Sequence, residues 1–549
     1  MTTGRQILLD VLASEGVKHI FGNPGTTELP LIDELAVHSE FEYILALQEN
    51  TAVGMADGYA LTTGRPSFVN LHTSAGLGGG IGNLTNALWN RSPIVVTAGQ
   101  QDRRHLIADP LLSGDLTGLA QAVSKWQHEV RHVDELAVVL RRAFKDAMTP
   151  PQGPVFVSLP MDMLEDETDA AIPAKSTIDR RSVAGGLADA AELLAESKPG
   201  ELAMVIGDEV SHGDALGEAV AVAETLGCPV YGAPLFGTLV FPTTHPLWKG
   251  MLIPFANAMN GQLSGFRRVL WVGGQIGLVY PYTEGPPIPD GLELIHLADD
   301  SSQVGRTYAA RLGMVGDIKT SLAALRTHLE GKTDAAAAAA AVERMGAEQK
   351  AAMEAFAQTA VDRYDQVPIN PMAAGHALIE GLPAGGIVVD EAVTTGIYAR
   401  GFQRTDETRT YFFCRGGGLG WGMPASLGAK LGRPDRDVLC VVGDGSAMYA
   451  IQSLWTAARY DIPVVFAVVN NRQYKILKDN LTSQMGKSAE SGNYVAMDLD
   501  NPPIDYVSLA HGLGLQSALI EKAADVTDAV RTAFESGKPW LFELPISTG

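Results

Sequence analysis

The chain has 549 residues, too many for a single hydrophobic core, so three or four domains are expected. It is 46% hydrophobic and 19% charged, an ordinary globular composition, and its net charge of −22 argues against nucleic-acid and anionic-membrane partners. No apolar run is long enough to span a bilayer, the N-terminus lacks a signal-peptide h-region, and Cys228, Cys414 and Cys440 lack zinc-like spacing; a reduced cytoplasm fits best.

MTTGRQILLDVLASEGVKHIF reads as an amphipathic helix entering a fold. The first third continues as βα units, with strands in EGVKHIFGNPG, FEYILALQEN, RPSFVNLHTS, SPIVVTAGQ and GPVFVSLP. Each strand ends in a loop of Gly, Asn, Ser or Glu, and parallel α/β sheets place ligands at such ends. Polar, Pro-rich text near 165–185 reads as a linker. Strands then recur in ELAMVIGDE, CPVYGAP, RRVLWVGG and LELIHLAD. A seam near 330–345, GKTDAAAAAAAVERM, ends in an alanine run that predicts a helix. The last third restarts with GGIVVDEA, RTYFFCRGGGLGWGMP, DVLCVVGDGSAMYA and IPVVFAVVNNRQY, and closes on WLFELPISTG. The pattern predicts an α/β fold of three doubly wound parallel-sheet domains, at 1–170, 185–332 and 350–549.

The sharpest signal is Val441-Val442-Gly443-Asp444-Gly445-Ser446 followed by Asn470-Asn471. Between them stand one expected helix, AMYAIQSLWTAARYD, and a buried strand, IPVVFAVV. Adjacent parallel strands would set Asp444 and Asn471 side by side at one sheet edge. A carboxylate and a carboxamide, completed by a backbone carbonyl, water and diphosphate oxygens, suit a hard octahedral cation such as Mg²⁺. Gly443 and Gly445 would let the backbone approach a diphosphate, its charge meeting the following helix N-terminus. Alone, GDG is a tight turn and NN a loop; together, 27 positions apart across a strand–helix–strand unit, they point to a cofactor site.

With this motif the chain resembles the thiamine-diphosphate-dependent decarboxylases and carboligases over nearly its whole length, the benzoylformate decarboxylases above all. The resemblance implies an N-terminal pyrimidine-binding domain, a middle Rossmann-like domain and a C-terminal diphosphate-binding domain. It implies thiamine diphosphate and Mg²⁺ as cofactors, and a homodimer or homotetramer with active sites between subunits. Glu49, in ILALQENTAVGMADGYA, matches the glutamate that hydrogen-bonds the aminopyrimidine ring and drives loss of the thiazolium C2 proton. Out of context it is a carboxylate at a helix start. Leu419 matches the bulky residue that holds the cofactor bent. Asn23, Gly25, Val393, Thr394, Gly417, Gly443, Gly445, Ser446 and Tyr474 fall on cofactor-binding positions. The metal set is Asp444, Asn471 and the backbone carbonyl of Gln473.

On the substrate side, Asn23-Pro24-Gly25-Thr26-Thr27-Glu28 resembles a family turn whose serine contacts the substrate carboxylate; here Thr26 keeps the hydroxyl. His72 matches a catalytic histidine, and Glu28 joins Thr26, Glu49 and His72 in the catalytic set. His105 lies in a loop able to approach the pocket. Leu111, Leu112, Phe413 and Ile476 match pocket-lining positions and would form an apolar wall. The chain also departs from the pattern. The middle-domain loop that carries a second histidine in benzoylformate decarboxylase reads GGQIGLVYPYTEG, with Tyr280, Pro281 and Tyr282 and no histidine. Ile476 replaces an alanine, and residues 478–503 form a longer, more polar segment that could be a lid or a solvated insertion.

The expected reaction is decarboxylation of a benzoylformate-like 2-keto acid to an aldehyde and CO₂. The open alternatives are carboligation, as in acetolactate synthases and benzaldehyde lyases, and, less so, a 2-hydroxyacyl-CoA lyase or oxalyl-CoA decarboxylase. Outside catalysis, the same scaffold could serve a regulatory or flavin-binding protein. Partners are expected to be a small 2-keto acid or aldehyde, with no nucleic acid and no membrane.

Overall fold

The structure, a computed structural model, describes residues 1–548 and divides into two compact units. One contains Met1–Thr177, Arg363–Arg400 and Cys414–Gly549; the other contains Ile178–Asp362 and Gly401–Phe413.

In the first unit, one parallel sheet has the strand order Glu42–Leu45, His19–Gly22, Ser67–Leu71, Ile94–Gln100, Val155–Pro160, Gln127–Glu129. Its central strands are buried on both faces, as expected of a parallel sheet covered by crossover helices. Ile20, Phe68, Val95 and Val157 pack there against Leu8 and Leu12 of helix Gly4–Glu15 and Leu136 and Leu140 of helix Val133–Ala147. From His19–Gly22 the chain crosses outward to Glu42–Leu45, then returns past its start to Ser67–Leu71. The carboxyl ends of His19–Gly22 and Ser67–Leu71 therefore flank a topological switch point, where α/β sheets open a crevice.

A second parallel sheet of this unit runs Ile387–Glu391, Val438–Gly443, Val464–Asn470, Trp540–Pro545, Gln516–Leu519. Val442 pairs with Val468 and Gly443 with Val469, so Asp444 and Asn471 do leave neighbouring strands at one edge. The expected single helix after Asp444 is two short ones, Asp444–Met448 and Ser453–Arg459. Tyr449, Ala450 and Ser453 each donate to a carbonyl three residues back, a tight turn that interrupts the helix.

The two sheets are joined through helices Glu49–Thr63 and Gly422–Gly432. A Cβ on Gly58 would lie 2.0 Å from the Ala425 carbonyl, and one on Gly428 would lie 1.8 Å from the Met55 carbonyl. The helices thus meet backbone to backbone, with no room for one methyl at either point.

The second unit is a third parallel sheet, ordered Trp248–Met251, Val230–Gly232, Leu202–Ile206, Arg268–Val272, Glu293–Ala298, Leu312–Val315. Fully buried Arg268 is paired with Glu293. Phe412 bridges antiparallel to Thr238, and the alanine run forms helix Ala335–Val361, capped by the Asp334 side chain. Tyr280 and Tyr282 are 70% and 87% exposed. Among the described residues, no helix is long and apolar enough to cross a membrane.

Candidate functional site

At the switch point of the first sheet, the turn Asn23–Gly25 leads into a 3-10 turn, Thr26–Glu28. Of the two threonines, Thr26 is exposed and Thr27 buried. Glu28, 1% exposed, collects donors on both oxygens. Oε1 accepts from Thr27 Oγ1 at 2.7 Å and Gly99 N at 3.0 Å; Oε2 accepts from Gly25 N at 2.9 Å and His72 Nδ1 at 2.9 Å. Burial pushes its carboxyl above the usual range, opposed by the Thr27 hydroxyl and the His72 charge. Thr27 Oγ1 is also 3.0 Å from His72 Nδ1. An ionised Glu28 can only accept, which places the ring proton on Nδ1 and leaves Nε2 for other work. Tyr43 Oη, buried without a hydrogen-bond partner, is held protonated by burial and the nearby Glu28 charge.

Glu49 opens helix Glu49–Thr63, whose N-cap Gln48 accepts from Thr51 N. Asn23 Nδ2 donates to Glu49 Oε1 at 3.4 Å, joining Glu49 to the same turn. A Cβ on Gly79 would lie 2.8 Å from Glu49 Oε2, so the carboxylate rests directly on that helix turn. Asn23, Gly25, Glu28, Glu49 and His72 are thus brought together. Thr26 flanks them, turned outward.

The second group lies at the edge of the other sheet. Asp444, 5% exposed, accepts from Gly445 N at 2.9 Å through Oδ1, while its buried Oδ2 has no hydrogen-bond partner. Burial raises its carboxyl above the usual range, opposed by the backbone N–H groups of Gly445, Arg472 and Gln473. Asn471 Oδ1 accepts from Gln473 N at 3.1 Å, and Tyr506 Oη donates to the Asp444 carbonyl at 2.7 Å. A buried carboxylate oxygen with no donor, beside a carboxamide and a loop carbonyl, fits a hard cation. The described residues hold no group of three or more His, Cys, Asp or Glu placed to bind a metal, and this candidate set does not require one. The Tyr474 ring lies over Gly445, and Ser446 is buried beside it.

Leu419 is half-buried in the glycine loop, Gly417 exposed; Val393 is 46% exposed and Thr394 half-buried after strand Ile387–Glu391. Leu111 is 86% and Leu112 36% exposed, beyond a turn that begins after His105; Ile476 is 39% exposed on helix Lys475–Ser483. Phe413 belongs to the second unit. Residues beyond Tyr474 form helices Lys475–Ser483 and Lys487–Ser491, then return: Tyr474 N donates to the Met497 carbonyl and Leu499 N to the Arg472 carbonyl, both at 2.8 Å. An ion pair between Lys478 and Asp498 ties the base of this excursion.

Two buried carboxylates outside the expected set brace the glycine loop. Glu391 Oε1 accepts from Gly420 N at 2.7 Å and Trp421 N at 3.2 Å, and Oε2 from Gly422 N at 2.7 Å. Asp57 Oδ2 accepts from the Trp421 indole at 2.7 Å and Asn90 Nδ2 at 2.9 Å, and Oδ1 from Ser92 Oγ. Burial pushes Glu391 up to about 7 and Asp57 up to about 6. The folded protein therefore keeps protons that the unfolded chain releases near pH 4, so these groups lower stability as pH rises from about 4 to about 7. Thermal midpoints across that range should fall with rising pH, and Asp57→Asn should flatten the fall. An unchanged slope in that variant would remove Asp57 from the account. An acid in the small-residue stretch TAVGMADGYALTT was the available signal for Asp57; Glu391, at a strand end, offered none.

Family models for the thiamine pyrophosphate enzymes match three stretches: the N-terminal TPP binding domain at residues 2–124, the central domain at 187–325 and the C-terminal TPP binding domain at 393–544. The chain is 33% identical to a benzoylformate decarboxylase of Pseudomonas aeruginosa, covering 100% of this chain and 99% of that one. It is 27% identical to the acetolactate synthase isozyme 3 large subunit of Escherichia coli, covering 97% and 92%. A solved 4-hydroxybenzoylformate decarboxylase of Rhodococcus jostii superposes with a TM-score of 0.87 at 30% identity, covering 100% and 99%.

Proposed function

The chain belongs to the thiamine pyrophosphate enzyme family, and within it we propose that the protein decarboxylates a benzoylformate-like 2-keto acid to an aldehyde and CO₂. The observation that carries this reading is the Thr27–Glu28–His72 cluster set against Glu49 at one switch point. Asp444, Asn471 and the Gln473 carbonyl would hold Mg²⁺, which would supply positive charge for the diphosphate of the cofactor. Thiamine diphosphate, when bound, supplies the carbon nucleophile and the sink for the electron pair left by departing CO₂.

The chain's own groups do the rest. Glu49 would hydrogen-bond the aminopyrimidine ring and exchange a proton with it. Glu28 fixes the His72 tautomer, so Nε2 is the nitrogen that meets substrate and moves protons. The Thr26 hydroxyl, exposed beside the cluster, is the group that would bind the substrate carboxylate. Leu111, Leu112 and Ile476, exposed in the single chain, would have to close over bound substrate to give its carboxylate apolar surroundings, which favour conversion to neutral CO₂. The excursion after Tyr474 is rooted on the metal loop, which suits a lid. We infer from the family that the site is completed between two copies, in a homodimer or homotetramer. Three free, buried cysteines suit a cytoplasmic setting.

Carboligation is the second reading, favoured by a GGQIGLVYPYTEG segment that carries tyrosines and no histidine. The test strips the enzyme, reconstitutes it with thiamine diphosphate and Mg²⁺, and follows benzoylformate. Cofactor-dependent release of CO₂ and benzaldehyde is the expected result. Cofactor uptake without benzoylformate turnover overturns this substrate, and a coupled hydroxyketone formed with an added aldehyde identifies the carboligase. The same preparation should show a native mass of two or four chains.

A further inference from the structure

Asn83 and Asn86, both fully buried on helix Thr73–Trp89, make hydrogen bonds in two directions. Toward the first turn of helix Glu49–Thr63, Asn83 N donates to Asn50 Oδ1 and Asn83 Nδ2 to the Asn50 carbonyl, both at 2.7 Å. Toward the glycine loop, Asn83 Nδ2 reaches the Gly420 carbonyl at 3.2 Å. Asn86 clasps Gly418 on both sides. Its Nδ2 donates to the Gly418 carbonyl and its Oδ1 accepts from Gly418 N, each at 2.9 Å. Asn86 Nδ2 also donates to Asn83 Oδ1 at 2.8 Å, which closes the network.

Every side-chain amide hydrogen of the pair is used, and both amide oxygens accept. The amide matches the N–H and the C=O of one residue at once; a carboxylate would repel the carbonyl and an alkyl group would meet neither. Such a fully satisfied buried network fixes geometry because every alternative leaves polar groups unpaired. The loop is shaped for it: a Cβ at Gly416 or Gly418 would lie 2.5 or 2.9 Å from Asn86 Oδ1. Asn50 directly follows Glu49, and Leu419 lies between the two residues that are held, Gly418 and Gly420. One network therefore ties the backbone beside Glu49 to the backbone that carries Leu419.

We propose that Asn86, backed by Asn83, is a positioning residue that sets how far Leu419 projects toward the thiamine diphosphate ring. This rests on the reading of Leu419 as the side chain that holds the bound cofactor bent. Asn86 acts through the loop and touches no reacting atom.

The test titrates thiamine diphosphate with Mg²⁺ calorimetrically into wild type, Leu419→Ala, Asn86→Ala and the double variant, and records near-ultraviolet circular dichroism of the bound cofactor. Asn86→Ala should weaken cofactor binding about tenfold. The double variant should bind no more weakly than Leu419→Ala alone, and both single variants should change the dichroism in the same sense. A merely structural Asn86 would lower the thermal midpoint and add its cost independently of Leu419; additive losses, or unchanged affinity in Asn86→Ala, overturn the proposal. Wild-type affinity and dichroism in Leu419→Ala would overturn the underlying reading of Leu419, a distinguishable failure. Should Asn86→Ala not fold, Asn83→Ser, which releases the Gly420 carbonyl and one support of Asn86, carries the same comparison.

Discussion

Glu49→Gln should lower kcat on the active 2-keto acid by about a thousandfold while cofactor and Mg²⁺ still bind. Glutamine has nearly the same shape, so the contact with Asn23 and the seat on Gly79 can persist and the helix keeps its Gln48 cap. What disappears is the acid. A neutral amide cannot trade a proton with a ring nitrogen, whereas a carboxylate can. Single-turnover rates measured at saturating cofactor separate the chemical step from binding. A loss below about tenfold would move proton control to another group and end the role assigned to Glu49.

The second large effect changes sign with the metal. Asp444→Asn should weaken Mg²⁺-dependent cofactor binding by roughly a hundredfold or more, because a neutral oxygen replaces the charged ligand. Without metal the same change should stabilise the protein. Oδ2 of Asp444 is buried with no donor, and removing the charge of this only partly compensated carboxylate relieves a desolvation cost of about 1–3 kcal/mol. Thermal midpoints taken with chelator, and again with Mg²⁺ and thiamine diphosphate, should cross: the variant is higher in the first condition and lower in the second. A variant less stable in both would show that Asp444 is satisfied without a cation.

Much of this architecture was legible beforehand because its signals are local. Valine-rich runs ending in glycine or polar residues marked the central strands, and the pairing of Gly443 with Val469 realises the neighbourhood that the Asp444–Asn471 spacing implied. Short edge strands escaped: Gln127–Glu129, Trp248–Met251, Leu312–Val315 and Gln516–Leu519 are brief and partly polar, as edge strands commonly are. The break after Met448 escaped as well, since nothing in AMYAIQSL forbids a continuous helix. Two adjacent threonines cannot reveal which one turns inward; the fold chose Thr27 for the His72 cluster and left Thr26 at the surface. Asp57, Glu391, Asn83 and Asn86 have partners remote in the chain, so their importance is a property of tertiary packing alone.

The placing of Trp421 gives the molecule an optical gauge of its own. Its indole N–H rests on Asp57 and its main-chain N–H on Glu391, two acids that burial pushes up to about 6 and about 7, and it is fully buried. Indole emission shifts with the local electric field, so its colour should track the charge of these acids. Of the seven tryptophans, Trp271 and Trp421 are fully buried, and a Trp271→Phe background with acrylamide to quench the accessible rings would leave Trp421 as the dominant emitter. Loosening of the helix pair Glu49–Thr63 and Gly422–Gly432 would then be visible as a red shift, without any label.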